Sequence, residues 1–403
     1  MDFAFNEEQQ DLQGLVEKIL GSEVTLERLK EVEGSDNNFD RELWGKLADA
    51  GVLGIAIPEA QGGGGYGFLE AALVLEQIGR TVAPVPYYAS VVLGALPIAR
   101  FGTDAQKDAW LPGVASGDTI RVETMVAGGL GRLRAAGVPE SDIPEAFKAV
   151  EAAVTERGPG VHPLTGPIWI EGAEPGDALE VRILGFEFLH PYGVTGFIPG
   201  SGTLPDDFPY SRFKLIRFDV RAGTAAFAPG VTLRLAPFFG SIGVAPSALV
   251  RRVSSGPPGH HTGNLDNKEL VAGSTLYVPV QVPGALLSLG DAHAMQGDGE
   301  VTLTALETSV RGTVQIILRK NMRLNWPRAE TPTHYIVMGL NVDLDDAARL
   351  ATREMIEFLV SEKRMTRDDA YILTSIAADL RVTQLVDGTK GIHAMIAKSI
   401  FTN

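Results

Sequence analysis

The strongest constraint on how this chain can fold is a change of pattern near residue 117. Before that point apolar residues recur at helical spacing, as Leu12, Val16 and Ile19 do. Beyond it the chain consists mainly of short β-type segments separated by Gly and Pro, and a long apolar stripe at helical spacing returns near the end. A chain of 403 residues is also long enough for two or three domains. We therefore predict an α+β protein, with an all-α helical fragment over residues 1–117 and a β-rich domain with C-terminal helices over residues 118–403.

Helix-start and helix-stop residues give the predicted helices of the N-terminal fragment. Asn6 is the expected N-cap of the first helix, and Gln9 lies three residues further on, which is the spacing of a capping box. Gly51 is the expected stop of the second helix. The second and later helices are predicted over Asp40–Ala50, Leu69–Ile78 and Asp104–Leu111.

Gly62, Gly64 and Gly67 in the same fragment match the G-x-G-x-x-G pattern of dinucleotide-binding loops. That motif needs a strand leading directly into the loop and an acidic residue about 20 positions later. Here Pro58 to Gln61 precede the glycines, and the later stretch PVPYYASV holds no acid. A flexible glycine turn between helices is therefore the preferred interpretation.

Five segments of the second part are predicted to be strands. They are IRVETM, PIWI, ALEVRIL, TLRLAPF and TLYVPVQV, which begin at residues 120, 167, 178, 232 and 275. The stretch Pro139–Glu156 is expected to be helical and exposed. Near the end, an apolar stripe that begins at Leu344 predicts one helix. Thr366 and Asp369 have the spacing of a capping box, and they open a second helix that is predicted to run to Gly388.

The composition excludes several functional classes. There are 35 Lys+Arg and 50 Asp+Glu, so the formal net charge is −15, which repels nucleic acid and anionic membranes. The chain has no Cys, so disulfides, thiolate metal sites and a Cys nucleophile are excluded. The acidic N-terminus is unlike a targeting peptide, and no apolar run approaches the roughly 18 residues that span a bilayer. We expect a cytoplasmic protein that binds neither nucleic acid nor a membrane.

The densest group of potential ligands is the segment GDAHAMQGDGE, from Gly290 to Glu300. Asp291 and His293 are two residues apart, so both point to the same face of an extended strand. A catalytic Zn²⁺ or similar ion needs two or three such ligands and an open position. The ion activates water, and a spare carboxylate such as Asp298 or Glu300 then moves the proton. The alternative is that the aspartates cap turns and that His293 is a hydrogen-bonded core residue.

Other candidates have weaker patterns. Asp266 lies in the polar loop GNLDNKEL, which is equally typical of a turn. His162 in VHPLTGPIWI and His393 in KGIHAM each stand alone, and a single His is more often structural. The pair His260-His261 lies in a Gly/Pro loop, where exposure to solvent is the simpler interpretation.

The run FDRELWGKLADAGVLGIAIPEAQGGGGYG, followed by ARFGTDAQKDAWLPGVASGD, resembles the N-terminal domain of the acyl-CoA dehydrogenases. The resemblance ends near Gly117 and implies an all-α fragment. Members of that family need a further β domain and a C-terminal helical domain to hold FAD, and neither pattern follows here. We therefore do not expect FAD as a cofactor.

Seven blocks of the second part resemble successive conserved blocks of the acetamidase/formamidase family. They are HPLTGPIWIEGAEPGDALEVRIL, FFGSIGVAPS, GNLDNKELVAG, VPVQVPGALLSLGDAHAMQGDGEV, ALETS, WPRAETPTHYI and DLRVTQLVDGTKGIHAM. The resemblance extends over nearly all of residues 118–403. It implies hydrolysis of short linear amides, such as formamide and acetamide, to a carboxylate and ammonia.

With that resemblance, the weaker candidates join one expected site. The expected ligands of a divalent metal, with Zn²⁺ favoured, are Asp266, Asp291, His293 and Glu300. On chemical grounds Glu300 and Asp298 are the expected catalytic carboxylates. His162 and His393 are expected to orient the substrate or the ligands. The expected partner is a small-molecule amide, and the resemblance also implies a homo-oligomer.

The chain departs from the acetamidase/formamidase pattern at its beginning. Members of that family begin with several tens of residues that include an Asn/Ile-Pro-Pro-Val-Leu-x-Val strand, and the dehydrogenase-like fragment stands in that place here. A missing strand leaves backbone groups without partners, at about 1–3 kcal/mol for each buried group. Two alternatives therefore stay open: a module that binds acyl-CoA or a flavoprotein partner, and an inactive chimeric product.

Overall fold

In the computed structural model the chain divides into two compact units, Met1–Arg121 and Val122–Asn403. The structure describes residues 5–34, 39–104, 106–107, 111, 114, 119–155, 157–250 and 252–402. The first unit is helical, and the second is β-rich with its two longest helices near the end. The predicted α+β class, with an all-α fragment followed by a β-rich domain, is confirmed.

In the described part of the first unit, the first helix begins at the capping residue that the sequence predicts. Asn6 and Gln9 form the capping box of the first helix, and Asp40 caps the third. The predicted helix Asp104–Leu111 lies partly outside the described residues. The helices are α1 (Glu7–Glu23), α2 (Leu26–Glu33), α3 (Arg41–Asp49), α4 (Phe68–Thr81), a π-helical segment (Tyr88–Ala95) and α5 (Leu96–Phe101).

The glycine-rich segment before α4 forms a tight turn. Gly62 and Gly65 have φ values of 83° and 71°, which favour glycine. A Cβ on Gly63 would lie 2.1 Å from the carbonyl oxygen of Ile57, so a side chain has no room there. The glycines are therefore explained by the turn itself.

The second unit is built on three sheets. Sixteen strands are described: β1 (Thr119–Glu123), β2 (Leu164–Ile168), β3 (Ala178–Phe188), β4 (Tyr192–Phe197), β5 (Arg212–Asp219), β6 (Thr224–Ala228), β7 (Val231–Arg234), β8 (Phe238–Gly243), β9 (Thr262–Asn264), β10 (Thr275–Pro279), β11 (Leu287–His293), β12 (Val310–Arg319), β13 (Arg328–Glu330), β14 (His334–Asn341), β15 (Ala378–Gln384) and β16 (Lys390–Ala397). The eight-stranded sheet has the order β1-β12-β3-β10-β13-β14-β16-β15. The four-stranded sheets have the orders β2-β11-β8-β9 and β4-β5-β6-β7. Each of the five predicted segments overlaps a strand.

Four helices of the described chain accompany these sheets. They are α6 (Gly129–Ala135), α7 (Glu145–Ala153), α8 (Leu344–Lys363) and α9 (Arg367–Ala377). No helix among the described residues is long and apolar enough to cross a membrane. The stretch predicted to be helical and exposed contains α7, but Phe147 on this helix is buried against Tyr192 and its neighbours.

The predicted helix from Thr366 to Gly388 is wrong in its second half. The helix α9 begins after the Thr366 cap but ends at Ala377, and the chain continues as the edge strand β15. The apolar spacing that suggested more helix is coincidental, since Leu380 is 47% exposed. Pairing of β15 with β16 decides the conformation, because hydrogen bonds to a neighbouring strand override weak local preference.

The helix α8 lies directly on the eight-stranded sheet at Gly339 of β14. A Cβ on Gly339 would lie 2.2 Å from the carbonyl oxygen of Ala347 and 2.4 Å from the backbone nitrogen of Ala351. Both atoms belong to the α8 backbone, so neither can move without shifting the helix. The core of this region depends on that close approach.

Replacing Gly339 with Ala should therefore destabilise the second unit. Overpacking of this kind lowers the free energy of unfolding by about 1–3 kcal/mol, as measured by urea denaturation. Gly185→Ala in β3 is the matched control, because a Cβ there meets no atom within 4 Å. Equal unfolding free energies for the two variants would show that α8 does not lie this close to β14.

Candidate metal centre

Neighbouring strands of one sheet bring the predicted site residues together. Asp291 and His293 lie on β11, and Asp266 follows β9 by two residues. The strand β8 lies between β11 and β9. Gly240 of β8 faces the site: a Cβ there would lie 2.5 Å from Oδ1 of Asp266 and 2.7 Å from Oδ2 of Asp291. The absence of a side chain at this glycine leaves the space that the acidic groups occupy.

The backbone is left-handed at three of the four predicted metal ligands. The φ values are 49° at Asp266, 54° at Asp291 and 43° at Glu300. Such values are uncommon for residues other than glycine, and they concentrate at functional sites. At Asp291 the strand is therefore not simply extended as predicted, although its carboxylate still meets His293.

The side chains of these residues form one buried cluster. The predicted ligands Asp266, Asp291, His293 and Glu300 belong to it, and each is at most 7% exposed. Within each of three overlapping groups, the potential ligand atoms lie within 4.8 Å of one another. The groups are Asp266 with Asp291 and His293, His293 with Glu300 and Glu307, and Asp266 with Glu300 and Asp387.

His293 lies among the carboxylates. Its Nε2 atom lies 3.4 Å from Oδ2 of Asp291 and 3.6 Å from Oε2 of Glu307, and its Nδ1 atom lies 3.8 Å from Oδ1 of Asp266. His162 approaches from another side, with Nε2 at 3.7 Å from Oδ2 of Asp291. The arrangement places several carboxylate oxygens, which can coordinate a metal ion, around one imidazole.

Two members of the cluster, Glu307 and Asp387, were not predicted. Both lie in blocks that carried the family resemblance, ALETS and DLRVTQLVDGTKGIHAM. Spacing alone does not single them out, because Glu307 follows β11 by fourteen positions and Asp387 is distant in sequence from every other ligand. The available signal was an acidic residue inside a family block: Glu307 is the one acid of ALETS, and Asp387 is one of two in the longer block.

Three predicted residues lie outside the three groups: His162, described above, Asp298 and His393. Asp298 forms ion pairs with Lys268 at 3.1 Å and with Arg381 at 2.8 Å. Nδ1 of His393 lies 2.8 Å from Oγ1 of Thr383, and burial lowers the pKa of this imidazole to about 4. The catalytic role of Asp298 and the orienting role of His393 stay predictions.

Burial shifts the protonation of the acidic groups. Burial raises the pKa of Asp266 well above its ordinary value, and the carboxylates of Glu300 and Asp387 raise it further. Burial likewise raises the pKa of Glu300 well above its ordinary value, and it raises the pKa values of Glu307 and Asp387. So many buried carboxylates repel one another unless positive charge is supplied.

The histidines supply part of that charge. Burial alone would raise the pKa of Asp291, but His162 and His293 hold it well below its ordinary value. Burial alone would lower the pKa of His293, but Asp291 and Glu307 raise it to about 10. A metal ligand must give up its proton, so a bound cation would replace the positive charge of the imidazolium.

Atoms without hydrogen-bond partners show that the cluster fits a cation. Buried polar atoms are almost always paired, and unpaired ones need a specific explanation. Among the described residues, several cluster atoms are buried and have no hydrogen-bond partner: Oδ1 of Asp266, Oδ1 of Asp291, both ring nitrogens of His293 and Oε2 of Glu307. All of them are atom types that coordinate divalent ions. The residues present can therefore hold a divalent metal.

Neighbouring polar groups hold the acidic side chains in place. The amide of Asn264 donates to Oδ2 of Asp266 at 2.6 Å and to Oδ2 of Asp387 at 3.3 Å. The side chain of Gln296 donates to the carbonyl oxygen of Asp266 at 2.7 Å. Arg132 lies 3.5 Å from Oε1 of Glu307. These contacts orient the oxygens that remain unpaired.

Comparison with known families matches each half of the chain separately. The acyl-CoA dehydrogenase N-terminal domain matches residues 6–118. The acetamidase/formamidase family matches residues 149–255 and 251–403, which is more than half of the chain. The predicted resemblances are both confirmed.

Individual relatives divide in the same way. An acyl-CoA dehydrogenase of Mycobacterium tuberculosis is 47% identical over 120 residues, which are 30% of this chain and 32% of that protein. A formamidase of Methylophilus methylotrophus is 32% identical over 193 residues, which are 35% of this chain and 47% of that protein. The chain thus spans about a third of the dehydrogenase and about half of the formamidase.

Solved structures resemble the second unit. The crystal structure of an acetamidase from Bacillus halodurans has a TM-score of 0.61 and 32% sequence identity, and the match covers 71% of this chain and 90% of that one. The fold that surrounds the cluster is therefore the fold of an acetamidase.

Replacing Gly240 with Ala should disrupt the cluster without unfolding the chain. The added Cβ would lie 2.5 and 2.7 Å from carboxylate oxygens of Asp266 and Asp291, so these two side chains must move apart. We expect Zn²⁺ affinity, measured by equilibrium dialysis, to fall by at least about tenfold, as it does when ligand orientation is disturbed. Gly185→Ala should bind Zn²⁺ as the unaltered protein does. Equal affinity of both variants would contradict the placement of Gly240.

Proposed function

We propose that this chain, which belongs to the acetamidase/formamidase family, hydrolyses linear amides to a carboxylate and ammonia. The single observation that carries this proposal is the buried cluster of acidic groups around His293, with unpaired oxygen and nitrogen atoms. All six of its members belong to the second unit, which also matches the acetamidase structure.

The proposed ligands of a divalent cation are Asp266, Asp291, His293 and Glu300, with Glu307 and Asp387 completing the acidic cluster. The imidazole favours Zn²⁺ over the hard alkaline-earth ions, so Zn²⁺ is the proposed metal. When bound, such an ion polarises the amide carbonyl and lowers the pKa of water to about 7.

The remaining steps belong to the protein's own side chains. We assign to Glu300 the transfer of a proton from water to the leaving nitrogen, because burial raises the pKa of this carboxyl well above its ordinary value and so lets it hold the proton between the two steps. That transfer turns a poor amide leaving group into neutral ammonia. Arg132 keeps Glu307 oriented by their 3.5 Å ion pair, and the buried site keeps bulk water away from the reacting groups.

His162 and Asn264 are placed to orient the substrate. Both line a cavity of about 990 Å³, and both also contact the acidic cluster. Nδ1 of His162 lies 3.0 Å from Oγ of Ser255, which fixes the ring so that Nε2 faces Asp291. An imidazole held in this way can hydrogen-bond an amide oxygen or nitrogen that enters from the cavity.

The direct test is ammonia release from acetamide and formamide by the full chain. We expect turnover that is lost on treatment with a chelator and restored by Zn²⁺. Asp291→Asn should lower kcat/KM by at least about a hundredfold and reduce bound Zn²⁺, because it removes one charged ligand. Asp207→Asn makes the same charge change at an exposed position and should leave both values unchanged. No ammonia release from either amide with any divalent metal would refute the proposal.

The orienting role of His162 predicts a different pattern. His162→Ala should lower kcat/KM by about 10–100-fold while the protein retains its bound Zn²⁺. Elemental analysis beside the ammonia assay separates this result from that of Asp291→Asn. Loss of metal from His162→Ala would instead make this histidine a ligand.

A further inference from the structure

The cavity beside the metal centre is large for the substrates of the proposed reaction. Its volume is about 990 Å³. It reaches the cluster through His162, which lies 3.7 Å from Asp291, and through Asn264, which hydrogen-bonds Asp266 and Asp387. An amide held by His162 or Asn264 would have the rest of its structure in this cavity.

The cavity volume far exceeds that of acetamide. Acetamide has four non-hydrogen atoms, and at roughly 30 Å³ for each small group it needs on the order of 120 Å³. Binding sites of roughly 300–1,000 Å³ are typical of drug-sized ligands. The cavity therefore has room for an acyl group several times larger than acetyl.

The walls of the cavity are mainly apolar. Four aliphatic side chains that line it are 41–58% exposed, so their apolar surface is open to a ligand: Val150, Val154, Val161 and Leu164. Other apolar lining residues include Met125, Val244 and Leu286. Burial of methylene groups against such walls contributes to binding in proportion to the apolar area removed from water.

The charged lining residues lie next to one another and contact one another. Arg157 forms an ion pair with Glu151 at 3.4 Å, and Arg252 donates to the carbonyl oxygen of Arg157 at 3.4 Å. Glu151 also accepts a hydrogen bond from the backbone of Leu130. The charged side chains that line the cavity, Glu151, Arg157 and Arg252, thus belong to one group, and the other lining residues are uncharged apart from the two histidines.

A second cavity beside the site is much smaller. It has a volume of about 230 Å³, and Glu300 is the member of the acidic cluster that lines it. At the same roughly 30 Å³ for each small group, this space has room for about seven non-hydrogen atoms, which is fewer than octanamide contains. The two cavities therefore predict opposite dependence of activity on substrate size.

We propose that the preferred substrates are primary amides with an apolar acyl chain of about six to eight carbons, which lies in the larger cavity against Val150 and Val154. This inference rests on the proposed amide hydrolysis and names its substrate class. The acyl chain supplies the binding free energy, while His162 and Asn264 orient the amide at the cluster.

The test compares acetamide, butanamide, hexanamide and octanamide as substrates. Each buried methylene is worth about 0.8 kcal/mol. We therefore expect kcat/KM to rise about fourfold for each methylene added between acetamide and hexanamide. Val150→Trp places an indole in the larger cavity and should lower the ratio of kcat/KM for octanamide to that for acetamide by at least about tenfold. Ala149→Trp is the matched control on the same helix, because Ala149 is exposed and does not line the cavity.

The outcomes separate this inference from the proposed function. Turnover of acetamide with equal or lower kcat/KM for hexanamide keeps the amidase and overturns the substrate class. If the chain hydrolyses none of the amides, the proposed amidase activity is refuted. Calorimetry of amide binding then still tests whether the larger cavity holds the acyl chain. Octanamide should bind at least about tenfold more tightly than acetamide, and Val150→Trp should remove that difference while Ala149→Trp keeps it. Equal affinity for the two amides would overturn the inference.

Discussion

The structure of the second unit depends on placing several carboxylates in a buried space around one imidazole. Like charges this close repel strongly, and burial alone already disfavours their charged forms. The nearby His293 and Arg132 offset part of the charge, yet acidic oxygens and both ring nitrogens remain without hydrogen bonds. A divalent cation offsets the remaining negative charge, and it also accepts lone pairs from the oxygen and nitrogen atoms that lack hydrogen bonds.

The sheet around the cluster is shaped to hold it. Left-handed backbone at Asp266, Asp291 and Glu300 turns three carboxylates inward from separate segments. Gly240 provides room for Asp266 and Asp291. Asn264 fixes Asp266 and Asp387 by hydrogen bonds. Backbone strain at these positions costs about 1–3 kcal/mol each, which the fold retains only where the surrounding contacts enforce it.

The sequence allowed the fold class and much of the site to be predicted. Capping residues such as Asn6 and Thr366 predicted helix starts, because such signals act within a few residues. Local spacing and family resemblance together predicted four members of the cluster, Asp266, Asp291, His293 and Glu300. Glu307 and Asp387 were missed because tertiary folding, not spacing, brings them to the cluster. The helix predicted through residues 378–388 failed for the same reason, since pairing with β16 decides the conformation of β15.

The most direct test of the account is anomalous diffraction from crystals of the full chain grown with Zn²⁺. We expect one or more anomalous peaks within coordination distance of at least three members of the acidic cluster, including His293. A peak elsewhere, or strong Zn²⁺ binding with none at the cluster, would contradict it. So would a crystal structure in which Asp266, Asp291 and Glu300 point into separate parts of the core.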